Sequence, residues 1–259
     1  MVDLSFSLLE LEYFLLVMVR VTCFVYAAPF FGTTNVPNRV KIALGVFIAV
    51  LIYNTLTPAA LPYNSVFVYA IIIVKEAFTG LLIGFSANIC LSILNFAGHI
   101  ADMNIGLSMV SIFDPVTKDN VTISGTFYQY TVMLMLFISG LYQYVLAAIV
   151  ESFSLIPVNG AIFNSDKLVT SMIAFFTDYV LLGFRIVLPV FAAILLLNAI
   201  LGILAKISPQ LNMFAVGIQL KILVGLGVLF LTVGVLPNAS VMILSEVRKM
   251  ITAFTEAML

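Results

Sequence analysis

The chain has 259 residues, of which 63% are hydrophobic and 9% charged, with a formal net charge of -1. Soluble domains average roughly half apolar and a quarter charged, so this composition excludes an ordinary water-soluble domain and asks for a bilayer or a ring of apolar partner chains. The near-neutral charge also excludes the basic field that draws a protein to nucleic acid.

The N-terminus carries Asp3, Glu10 and Glu12 and no basic cluster, so a cleaved signal peptide is not expected. Six apolar segments follow. The first runs from Tyr13 to Phe31 and contains Arg20. The turn 32–38 leads to the second, Ile42 to Leu56, which is short for a full span. The third, Val66 to Ala101, would make about 54 Å of helix against a hydrocarbon core of roughly 30 Å. A break from Asn104 to Thr122 then holds Asp114-Pro115 and Lys118-Asp119-Asn120.

The fourth segment, Tyr128 to Val150, has no charge; Pro157, Asn159 and Gly160 close it. The fifth, Val169 to Ala205, carries Asp178, Arg185 and Pro189. Lys206-Ile-Ser-Pro209 then reads as the tight turn of a helical hairpin, with Gln210 and Asn212 beside it. The sixth, Met213 to Leu236, contains Lys221. After Pro237, Ile243, Leu244, Val247, Met250, Ile251, Phe254 and Met258 recur at helical spacing, with Glu246, Arg248, Lys249 and Glu256 on the other face. That pattern predicts an amphipathic helix at the membrane surface or against a partner. No segment alternates in the manner of a strand, so the predicted class is all-α. Basic residues fall almost evenly in alternate loops and do not set an orientation.

Charges inside apolar helices are expensive and mark function or pairing between helices. Arg20, Lys75, Glu76, Asp178, Arg185 and Lys221 stand in such places. Lys75 and Glu76 are adjacent and point about 100° apart, while Asp178 and Arg185 lie about 10 Å apart along one helix, so each needs a partner on another segment or chain. A proton relay would need acids in series, which favours structural pairing. Gly80 and Gly84 form a GxxxG that lets two helices approach closely. Cys23 and Cys90 sit in apolar runs and read as small buried hydrophobes.

Catalytic motifs are missing: there is no HExxH, no GxSxG and no phosphate-cradling loop. His99 and Ser108 are the one Ser/His pair to weigh, and a packing glycine with a turn serine explains Gly106-Leu107-Ser108 better than an intramembrane protease does. No metal set and no cofactor is expected. A small-solute transporter would favour an inverted repeat, and none stands out.

Several segments, in order, resemble the FliR family, the flagellar member of the type III export-gate proteins. They are Arg20 with Ala28-Pro-Phe-Phe-Gly32 and Val36-Pro-Asn-Arg-Val-Lys41; Lys75-Glu76-Ala-Phe-Thr-Gly80-Leu-Leu-Ile-Gly84-Phe85; Ala97-Gly98, Asp102, Gly106-Leu107-Ser108 and Asp114-Pro115; Ser152-Phe153 with Pro157; Leu188-Pro189, Leu201-Gly202 and Pro209-Gln210-Leu-Asn212-Met-Phe214-Ala-Val-Gly217. Ile105, Asn198, Lys206 and Gln219 depart mildly from the family pattern.

The resemblance implies an all-helical export-gate fold. Residues 1–165 would be similar to the P-type subunit and include a plug loop at about 102–120. Residues 166–259 would be similar to the Q-type hairpin, with the C-terminal amphipathic helix. It implies a ring with P-type (FliP) and Q-type (FliQ) subunits in the bacterial inner membrane at the flagellar basal body, with the FlhB-type protein at the entrance. Unfolded flagellar subunits would pass through the centre. The equivalent virulence secretion subunit is the alternative, although the motifs sit closer to the flagellar branch. The resemblance also assigns a pore plug to Gly106, Leu107, Ser108, Met109, Val110, Ile112, Phe113, Asp114 and Pro115. Apolar side chains there suit closure of a narrow channel to water, and Gly106 and Asp114-Pro115 suit the turns that bound it.

Overall fold

The computed structural model describes residues 8–32, 36–57, 63, 65–110, 112–113, 120–208, 210 and 212–259. Among them eight α-helices form: α1 (Leu8–Ala27), α2 (Asn38–Tyr53), α3 (Val66–Ile105), α4 (Ile123–Ile138), α5 (Leu141–Leu155), α6 (Ser165–Ile207), α7 (Met213–Thr232) and α8 (Leu236–Ala257). Helices are the expected outcome, because apolar surroundings offer no water to an unpaired backbone group and a helix satisfies its own. Three stretches are long and apolar enough to cross a membrane: Val66–Ile105, Ser165–Ile207 and Ala215–Ala257; α4 and α5 together would make a fourth. The fold is that of an all-α membrane protein.

The helices differ from the sequence reading in instructive ways. The first ends at Ala27, before Phe31, because residues 28–32 turn back, with Phe30 at φ 68 and the Gly32 amide donating to the Ala28 carbonyl at 2.8 Å. The third runs past Ala101 to Ile105, so Asp102 is helical and the break begins at Gly106. The fourth segment is two helices: α4 ends at Ile138 and α5 starts after Gly140, whose φ of 82 interrupts the helix. Strand pairing was not expected, yet Ile112–Phe113 pairs antiparallel with Asn120–Val121 inside the break. Two residues per strand are enough to pair the backbone of a hairpin whose ends are held close.

α8 is amphipathic, but its apolar face is buried within the chain itself. Ile243, Val247, Met250, Ile251, Phe254 and Met258 are all buried, and Glu246, expected on the polar face, is buried as well. The extended residues before α6 explain part of this. The Ile162 and Asn164 amides donate to the Met258 and Ala257 carbonyls at 2.9 and 3.0 Å, which ties the C-terminus to the chain.

The chain forms two compact units. One comprises Met1–Cys90, Gly140–Phe175 and Glu246–Leu259; the other comprises Leu91–Ser139 and Phe176–Ser245. In the first, α1 and α2 make a hairpin. Gly45 of α2 lies so close to Thr22 of α1 that a Cβ would come within 2.7 Å of its methyl group. Lys41 closes that hairpin by donating to the Gly32 carbonyl at 3.0 Å, with its ammonium 5.0 Å from the Tyr26 ring centre. In the second, Phe96 of α3 packs on Tyr179 and Phe184 of α6 at ring separations of 5.1 and 6.1 Å, and Gly183 makes room for it.

Candidate functional site

Two constellations organise the charged and polar residues. The first lies in the unit that contains α1, α5 and the N-terminal part of α3. Arg20 and Glu76 are both fully buried, and the Arg20 Nε donates to the Glu76 carboxylate at 2.5 Å. The rest of the guanidinium caps the end of α5. Nη1 donates to the Ile156 carbonyl at 2.8 Å and the Ser152 carbonyl at 3.4 Å, and Nη2 reaches the Pro157 carbonyl at 3.4 Å. The Ser152 and Pro157 carbonyls also accept the Ile156 and Gly160 amides at 2.8 Å, so the guanidinium adds to bonds already made there, and a cation at this helix end complements the helix dipole.

Glu76 uses its second oxygen to accept the Asn159 amide at 2.8 Å, in a turn where Asn159 adopts φ 68. The Phe153 ring covers the guanidinium, with its centre 4.3 Å from the Arg20 Cζ. Every strong group in this pair is therefore satisfied, which is the condition under which a buried ion pair is tolerated.

Glycines set the approach that makes the pair possible. A Cβ on Gly80 would lie 1.9 Å from the Arg20 carbonyl oxygen, and one on Gly84 would lie 2.7 Å from that of Phe24. The GxxxG thus seats α1 directly against α3. Lys75, next to Glu76, is half-buried and takes no part in the cluster.

The second constellation lies at the base of the break after α3. The Asp102 carboxylate is buried and accepts the Ser124 amide at 3.2 Å as well as the Ser124 hydroxyl. Ser124 is in the first turn of α4, where amides lack helical partners and a negative charge is stabilised. The neighbouring Gly125 amide donates to the Thr122 hydroxyl oxygen at 3.2 Å. Gly98 makes this approach possible: a Cβ there would sit 2.0 Å from the Gly125 Cα. The two stems of the break are therefore fastened together by a carboxylate and a glycine contact.

Beyond these stems, Gly106 ends α3 with φ 92, its amide donating to the Asp102 carbonyl at 2.9 Å. Leu107 through Val110 form a short 3-10 turn. Leu107 is buried in the chain's own core, whereas Ser108 is exposed. Met109 and Val110 contribute the end of that turn, and Ile112 and Phe113 the first short strand. Asp114 and Pro115 lie outside the described residues.

The other residues singled out by sequence are dispersed. Asp178 and Lys221 are half-buried and Arg185 is exposed. At the α6–α7 hairpin, Asn212 caps α7 by accepting the Ala215 amide at 3.4 Å; Gln210 is exposed and Pro209 lies outside the described residues. His99 and Ser108 are both exposed, and no hydrogen bond joins them among the described residues. Sequence reasoning gave no role to Ser124, Gly125 or the carbonyls at 152, 156 and 157; it named Gly98 and Asp102 only within the family resemblance and set Asp102 at the start of the plug loop, not as a fastening to α4. Thr122 followed by Ser124 and Gly125 was a readable helix-start signal; the distant partner of that start was not readable.

Residues 11–247 match the model for bacterial export proteins, family 1. The flagellar biosynthetic protein FliR of Bacillus subtilis (strain 168) is 32% identical over 227 residues, covering 86% of each chain. The FliR proteins of Aquifex aeolicus (strain VF5) and Escherichia coli (strain K12) are 29% and 26% identical, covering 84% and 82% of this chain and 84% and 80% of their own. The chain thus belongs to the FliR family of bacterial export proteins, as a membrane-embedded subunit of the flagellar export apparatus.

Proposed function

We propose that this subunit is a structural part of the export pore itself, a conduit without chemistry of its own, in the bacterial inner membrane at the flagellar basal body. The supporting observation is the fastened base of the break. Asp102 and Ser124, with Gly98 against Gly125, hold the two stems together, so both ends of the chain between them are anchored at one place. In this reading residues 108–115 seal the pore, and buried Leu107 anchors the seal instead of forming it.

Much large apolar surface on the long helices stays exposed in the single chain, including Phe67, Phe176, Ile203 and Phe230. Such surface asks for lipid or partner chains. The resemblance assigns that role to FliP-type and FliQ-type subunits, with the 1–165 part similar to the first and the 166–259 part similar to the second. A FlhB-type protein would bind at the entrance and unfolded flagellar subunits would pass through. Half-buried Lys75 and Lys221 then have partners available on neighbouring chains. Native mass spectrometry of the chain coexpressed with those subunits tests the reading. One copy in a complex with several P-type and Q-type copies is expected, and a stable homodimer that excludes them would overturn it.

A further inference from the structure

In the unit formed by Leu91–Ser139 and Phe176–Ser245, a cavity of about 240 Å³ opens where α6 carries its internal proline. Its polar lining consists of Tyr128 from α4, Arg185 from α6, Thr232 at the end of α7 and Asn238 at the start of α8. The remaining lining is aliphatic, and no acidic side chain faces the space. At about 30 Å³ per water in the liquid, the cavity exceeds what one bridging water fills.

Three features ask for a ligand. Tyr128 is 1% exposed, and its buried hydroxyl has no hydrogen-bond partner. The Thr232 hydroxyl, its nearest polar neighbour, donates to the Leu229 carbonyl at 2.9 Å and does not reach hydrogen-bonding geometry with the phenol. A buried phenol without a partner forfeits about 1–3 kcal/mol, so such groups are normally satisfied. Arg185 is a permanent cation in an apolar helix and forms no ion pair among the described residues. The Asn238 amide adds further donors at the exposed mouth.

A guanidinium, a phenol and an amide around a space without carboxylates are complementary to an anion. The apolar wall, and exposed Leu188, Leu231 and Val241 on the same helices, add a place for hydrocarbon. We propose that this cavity holds the phosphodiester of an anionic phospholipid, with Arg185 and Tyr128 on the phosphate and the acyl chains along α6 and α8. The proposal concerns lipid binding and does not depend on the pore reading.

Native mass spectrometry of the intact, delipidated export complex, titrated with phosphatidylglycerol or phosphatidylcholine, tests it. The wild-type complex is expected to retain one tightly held phosphatidylglycerol that phosphatidylcholine does not replace. Arg185→Gln should lose that lipid, Arg185→Lys should keep it, and Tyr128→Phe should weaken its retention about tenfold. Assembly is read in the same spectra. If Arg185→Gln fails to assemble, Tyr128→Phe, which keeps the ring, decides the matter. Equal retention of the two lipids, unchanged phosphatidylglycerol in Tyr128→Phe, or displacement of the lipid by millimolar inorganic phosphate would overturn the assignment.

Discussion

Gly80 packs directly on the main chain of Arg20: a Cβ at residue 80 would lie 1.9 Å from the Arg20 carbonyl oxygen. Backbone cannot yield as a flexible side chain can, so Gly80→Ala must push α1 off α3. A cost of about 3 kcal/mol, at the upper end for overpacking, is expected. Gly84→Ala meets its nearest atom at 2.7 Å and should cost less. Thermal unfolding of the two purified variants checks the order. A Gly80→Ala midpoint equal to that of the wild type would contradict the close approach.

Because that approach seats Arg20 beside Glu76, the two side chains should behave as one unit. Arg20→Met leaves a buried carboxylate with the Asn159 amide as its remaining partner, and breaking a buried pair in this way costs about 3–5 kcal/mol. Combining it with Glu76→Gln, which keeps an acceptor for that amide, should return part of the loss, with a coupling of about 0.5–3 kcal/mol. Chemical denaturation of the single and double variants measures it. Additive losses would show that the pair is not coupled.

The same cluster separates a structural role from a proton-carrying one. Glu76→Ala should lower the yield of assembled complex and leave the pH dependence of export in the surviving complex unchanged. Export rates measured across pH decide this. Normal assembly with a shifted pH profile would assign Glu76 to proton transfer.

At the break, Asp102 is expected to hold the first turn of α4. Asp102→Ala removes both the acceptor and the charge at that helix start, a loss of about 1–2 kcal/mol. Hydrogen exchange of the amides at 123–126 should quicken while the remainder of α4 stays protected. Ser124→Ala keeps the amide contact to Asp102 and should have a smaller effect. Unaltered exchange in Asp102→Ala would rule out the fastening.

The fold was largely legible because apolar helices announce themselves by composition. Val66 to Ala101 was already too long for one bilayer crossing, and α3 extends it further, to Ile105. What escaped was local or distant. Gly140 breaks the fourth segment with no proline or charge beside it, and its positive φ is a backbone property that a single glycine does not advertise. The face of α8 read correctly as apolar, but its occupant is the chain's own core, because periodicity shows that a face is buried and not by what. Arg20 and Glu76 were recognisable as costly, whereas their pairing spans 56 positions and only the tertiary approach at Gly80 brings them together. The partner of Asp102 escaped for the same reason, lying 22 positions away across the break.

The claim that the break after α3 seals the export pore is tested most directly by ion conductance of the assembled complex in planar bilayers, with residues 106–113 deleted. Asp102 and Ser124 remain in that variant, so the stems stay fastened and the complex should still assemble. The account predicts a complex of wild-type composition that conducts ions without an exported substrate. Conductance as low as that of the wild type, in a complex of the same composition, would contradict it.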